Sequence, residues 1–143
     1  SSPNLSSIPF SKYLKKAVGE LYGHYGKHKD IVFKLNISNE MLDISEAIPL
    51  GIIFNELLMN SMIHAFDSEP KSGERCTIKV EFYKSNEQYS LLVSDNGKGL
   101  PDSYTESRDT KTGMQLVNVL VKDHLKGKIT HYNLSGTTFI VNF

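Results

Sequence analysis

The chain has 143 residues, 39% hydrophobic and 22% charged, a composition that suits one folded domain with a core of its own. Sixteen Lys and Arg balance sixteen Asp and Glu, which leaves no basic field to draw nucleic acid or an anionic membrane. The one cysteine, Cys76, excludes an intrachain disulfide and a cysteine-based zinc site, and no apolar run approaches the roughly 20 residues that span a bilayer.

Residues 1–9 are rich in Ser, Pro and Asn and lack the basic start and apolar stretch of a signal peptide, so they are expected to form an irregular linker before a domain over 10–143. The lone cysteine suits a reducing, cytoplasmic setting, which is the one expected. From Phe10 to about Tyr25, Tyr13, Leu14, Ala17, Val18, Leu21 and Tyr22 keep the i, i+3, i+4 rhythm of an amphipathic helix that ends between Gly23 and Gly26. Ile31, Phe33, Leu35 and Ile37 alternate as in a half-buried strand.

Residues 45–66 predict a second helix, with Ser45 as N-cap and Pro49 near its first turn. It is apolar almost all round, which predicts burial on most sides. Two strands follow, Cys76–Tyr83 and Tyr89–Ser94, joined by a polar turn. A long segment over 96–112 carries Gly and Ser, and loops beyond about 12 residues are commonly functional. A third helix over 113–125 and two closing strands, 128–132 and 137–143, complete an α+β arrangement: a two-layer sandwich with helices on one face of a mostly antiparallel sheet.

Four segments carry chemistry. On the second helix, at about 100° per residue, Glu56, Asn60, His64 and Asp67 project near roughly 0°, 40°, 80° and 20°, a polar stripe that is either solvated or satisfied by a ligand. Asp95-Asn96-Gly97-Lys98-Gly99 follows a strand; it is ordinary turn chemistry, or an acceptor carboxylate beside a chain that a ligand can approach closely. Lys111-Thr112-Gly113 opens a helix, where backbone N–H groups favour an anionic phosphate. Gly136-Thr137-Thr138-Phe139 enters the last strand and also reads as a hairpin turn.

In this order, the run Asn55-Glu56-Leu57-Leu58-Met59-Asn60-Ser61-Met62-Ile63-His64-Ala65-Phe66 and the three glycine-bearing segments resemble the N box, the two glycine boxes and the Gly-Thr box of the histidine-kinase ATPase domain. That domain belongs to the GHKL superfamily with gyrase, Hsp90 and MutL, and the likeness runs from about Phe10 to Phe143. The resemblance implies a Bergerat-type ATP-binding fold. It implies that Asn60 ligates Mg²⁺ among phosphate oxygens and waters, and that Glu56 polarises the attacking group or holds a water on the metal. It further implies that Asp95 accepts the adenine amine, that Gly97 and Gly99 let the chain pass the nucleotide, and that residues 100–112 form a lid over ATP. Gly113 would face the phosphates, and Thr137 or Thr138 would complete the adenine end.

Two positions depart from the pattern. Relatives carry a basic residue where this chain has Ile63, leaving His64 or Lys111 to meet phosphate, and position 111 is commonly small in relatives. No histidine here has the context of a phosphoacceptor, so the resemblance implies an acceptor on a separate, dimeric helical segment, with a response regulator downstream. Two rival readings share the fold: a serine protein kinase of the anti-sigma type, and a degenerate nucleotide-binding or docking module.

Overall fold

Alternation of apolar and polar side chains from Thr77 onward builds the centre of the molecule, because a period of two puts every second residue on one face of a strand. The computed structural model describes residues 6–26, 29–66, 73–100, 112–133 and 135–143. In chain order the elements are β1 (Ser7–Pro9), α1 (Phe10–Leu21), β2 (Val32–Ile37), β3 (Met41–Asp43), α2 (Ile44–Asn60), β4 (Thr77–Ser85), β5 (Gln88–Asp95), α3 (Thr112–Val119), β6 (Lys128–Tyr132) and β7 (Thr138–Asn142). Each helix runs on into one widened π-type turn, Tyr22–Gly26, Ser61–Ala65 and Leu120–His124.

Five strands form a mixed sheet in the order β2-β4-β5-β7-β6. β2 runs parallel to β4, and the other three pairings are antiparallel. The β4–β5 hairpin turns at Asn86 and Glu87, both at positive φ, and sets Ile78 opposite Asp95, Val80 opposite Val93 and Phe82 opposite Leu91. Ile78, Val80, Phe82, Leu91, Val93, Phe139 and Val141 line the buried face. The helices pack on it through Phe10 and Leu14 of α1, Leu50, Ile53, Phe54, Leu57 and Leu58 of α2, and Met114 and Val117 of α3.

Three features differ from the sequence-based expectation. Ser7–Pro9 is a strand, not irregular, and pairs antiparallel with Met41–Asp43. Ser6 Oγ donates to Asp43 Oδ1 at 2.7 Å, and the Ile44 N–H donates to the Ser6 carbonyl at 2.8 Å. Asp43, not Ser45, caps α2 by accepting the Ser45 N–H at 3.2 Å. A carboxylate at the extended residue before a helix meets its first N–H groups better than a residue already in the turn. Finally, α2 is not covered all round: Ile44, Ile48 and Ile52, four residues apart, stand exposed along one edge. Among the described residues no helix is long and apolar enough to cross a membrane.

Candidate functional site

Strand periodicity decides where the central carboxylate goes. Leu91, Val93 and Asp95 point to the same, helix-covered face of β5, so Asp95 ends an inward row of apolar side chains and is 8% exposed. A buried carboxylate needs donors, and Asp95 has three. Its Oδ1 accepts the Gly97 N–H at 3.0 Å and the Thr137 N–H at 3.2 Å, and its Oδ2 accepts the Ser61 hydroxyl at 2.8 Å. Burial pushes its pKa above the ordinary aspartate value, and these three hydrogen bonds pull partly the other way.

Close backbone approach explains the glycines around it. Gly136 sits at φ 120°, and a Cβ there would run into the main chain of Asp95 and Asn96. A Cβ on Gly97 would overlap the Ala65 carbonyl, at the end of the widened turn after α2. The loop after β5 is tied down on both sides. The Lys98 N–H donates to the Ala65 carbonyl at 3.0 Å, and the Asn96 side chain accepts the Thr77 N–H and donates to the Arg75 carbonyl, both at 2.8 Å. Asn133, between β6 and β7, accepts the Leu100 N–H at 2.9 Å and returns a bond to its carbonyl at 2.7 Å.

At the other end of the site, Glu56 and Asn60 are one turn apart on α2 and both half-buried. The start of α3 lies against them: a Cβ on Gly113 would meet the Glu56 carboxylate, and Asn60 Nδ2 donates to Met114 Sδ at 3.2 Å. Glu56, Asn60, Gly113 and Met114 therefore form one cluster, and Ser61, Asp95, Gly97, Gly136 and Thr137 form a second. The peptide bond from Asn60 to Ser61 joins the two.

Thr138 turns its hydroxyl to Ser94 Oγ at 2.7 Å, away from Asp95, because the strand alternates. Gly99 lies beside Asn133, at the edge of the second cluster, where a Cβ on it would come within 3.6 Å of the Gly136 carbonyl. His64 is exposed on the widened turn, where bonds close over one residue more than in an α-helix and the 100° step used to align it with Glu56 ends at Asn60. Lys111, Asp67 and most of the expected lid lie outside the described residues. Ser61, Met114 and Asn133 were not singled out from sequence. Ser61 carried a signal, as the small polar residue directly after Asn60 on a largely apolar helix.

The donor set fits a Mg²⁺ ion only in company. Among the described residues no group of three or more His, Cys, Asp or Glu could hold a metal. Asn60 Oδ1 and Glu56 supply hard oxygen donors, and a divalent ion there would draw its other ligands from phosphates and water, as Mg²⁺ commonly does.

Residues 45–143 match the family described as Histidine kinase-, DNA gyrase B-, and HSP90-like ATPase. The sensor histidine kinase PdtaS of Mycolicibacterium smegmatis is 34% identical over 103 residues, covering 71% of this chain and 20% of that protein. Blue-light-activated histidine kinase 2 of Erythrobacter litoralis is 26% identical over 137 residues, 94% of this chain and 37% of that protein. The chain thus spans well under half the length of these relatives. Among solved structures, the histidine kinase domain of the Erythrobacter litoralis EL346 blue-light activated kinase superposes with a TM-score of 0.86 at 20% identity, over 99% of this chain and 65% of that one. The catalytic domain of histidine kinase ThkA gives 0.77 at 18% identity, over 99% and 96%.

Proposed function

The chain belongs to the family of histidine kinase-, DNA gyrase B- and HSP90-like ATPases, and from that premise we propose that it binds Mg·ATP and supplies the γ-phosphoryl group to a histidine on a segment outside this chain. The observation that carries the proposal is the two-ended site along α2. Asp95 offers a buried acceptor to a base at one end, and Glu56 and Asn60 meet the first turn of α3 at the other.

Each residue has a role in this reading. Asp95, bound by three donors, presents lone pairs to the exocyclic amine of adenine. The start of α3, near Gly113, turns backbone N–H groups toward phosphate. Asn60 holds Mg²⁺, which when bound neutralises the charge on the phosphate oxygens. Glu56 takes a proton from, or orients, the attacking imidazole, whose nitrogen bonds to the γ-phosphorus as the bond to the bridging oxygen breaks and ADP leaves. The acceptor segment, its dimeric state and the response regulator that receives the phosphoryl group belong to the same proposal.

Calorimetric titration with a non-hydrolysable ATP analogue tests it, with and without Mg²⁺ and beside the GTP counterpart. Wild type is expected to prefer adenine and to bind more tightly with Mg²⁺. Asp95→Asn should lose roughly 1–3 kcal/mol of nucleotide affinity, and Asn60→Ala should lose the Mg²⁺ response while keeping the base preference. If the two variants fail in the same way, these role assignments are wrong.

A further inference from the structure

Three donors hold the Asp95 carboxylate, and two of them, the Gly97 and Thr137 N–H groups, belong to the main chain and meet Oδ1. Ser61 provides the third, from a side chain 6% exposed, to Oδ2 at 2.8 Å. Both partners are buried, so water competes little for the bond and its loss would leave a carboxylate oxygen unsatisfied.

We propose that Ser61 is a positioning residue for base selection: its hydroxyl holds Asp95 in the orientation and acceptor-only state that prefer an adenine to a guanine ring. The inference rests on the reading of Asp95 as the base contact. An ionised carboxylate carries lone pairs alone. It welcomes the exocyclic amine of adenine and repels the carbonyl that guanine carries at the same ring position. A carboxyl free to rotate, or neutral and carrying its own donor, loses that discrimination. Donation to Oδ2 opposes both changes, since it fixes the carboxylate plane from the α2 side and works against the burial that favours the neutral acid. Ser61 also follows Asn60 directly, so the backbone that places the metal-side amide places the base-side hydroxyl too.

The test titrates wild type, Ser61→Ala and Ser61→Cys with two probes: a non-hydrolysable ATP analogue, and the same triphosphate on a purine ring that lacks the exocyclic amine. Ser61→Ala should weaken the first by roughly 3- to 10-fold, the worth of one hydrogen bond, and change the second by less than about twofold. Ser61→Cys, of similar size and with a weaker donor, should fall between. Equal losses on both probes, or no loss on either, would overturn the proposal and leave Asp95 its role. A wild type that binds both probes equally would overturn the reading of Asp95 itself, and Ser61's role with it.

Discussion

Asn60 Nδ2 donates to Met114 Sδ across 3.2 Å, joining the end of α2 to the first turn of α3. A thioether sulfur can only accept, so the contact settles which end of the amide is which and keeps Oδ1 as the end available to a hard cation. Met114→Leu removes the acceptor at nearly constant volume, and such swaps cost less than about 1.5 kcal/mol of stability. The variant is expected to lose about two- to fivefold of the Mg²⁺-dependent part of nucleotide affinity, within the small worth of a weak hydrogen bond, and none of the Mg²⁺-independent part. Titration at saturating Mg²⁺ and in chelator gives both numbers. An unchanged Mg²⁺ response would mean that the contact fills space and does not orient the amide.

Asp95 makes stability depend on pH in a defined direction. Its pKa in the folded chain is raised, first by burial, above the unfolded value of about 3.9. The folded state therefore holds this proton more tightly, and the group's contribution is fully present below the unfolded pKa and lost as pH rises through the folded one. Asp95→Asn does not titrate, so its melting temperature relative to wild type should climb from about pH 4 upward and level off above the raised pKa. Nucleotide affinity of wild type should rise over the same window as the acceptor ionises. A melting difference that is flat across pH would contradict the burial argument.

The elements legible in the sequence were those long enough to repeat their pattern, such as the i, i+3, i+4 rhythm of α1 and the alternation of β4 and β5. The less legible ones depend on partners distant in the chain. Ser7–Pro9 is too short to show alternation and becomes a strand only because Met41–Asp43 lies beside it. The parallel register of β2 on β4 likewise joins residues far apart in the chain, Val32 opposite Thr77 and Ile37 opposite Phe82. At the site, residue types and the family resemblance pointed to Glu56, Asn60 and Asp95 as candidates, but one further step of the β5 alternation was needed to turn Asp95 inward, where Ser61 meets it. The widened turn at Ser61–Ala65 left no mark in the hydrophobic pattern, so the 100° step that suits α2 does not carry through to His64.

Gly136 tests how tightly the base end is built. Its φ of 120° is one that L-residues rarely adopt, and an added Cβ would meet main-chain atoms of Asp95 and Asn96, which cannot swing aside as a side chain can. Gly136→Ala should cost about 2 kcal/mol or more, combining backbone strain with overpacking. Urea denaturation should show a lower midpoint with an unchanged slope. A loss below about 0.5 kcal/mol, the range of an ordinary surface substitution, would mean that the turn yields easily.

Ile63 is the position where the family resemblance leads one to expect a cation, and it can accept one cheaply. The side chain is 38% exposed on the widened turn after α2, and its backbone carbonyl accepts from Lys29 Nζ at 3.4 Å. Ile63→Lys keeps that carbonyl and should alter stability by no more than about 0.5 kcal/mol. If the triphosphate lies along α2 from Asp95 toward Gly113, the new ammonium should tighten binding of the ATP analogue by up to about fivefold, the worth of an exposed ion pair. That gain should shrink as salt is raised toward 1 M, where screening acts over roughly 3 Å. It should also be smaller for the monophosphate than for the triphosphate, because fewer charges lie within reach. A gain equal for both nucleotides, or one indifferent to salt, would place the phosphate chain elsewhere.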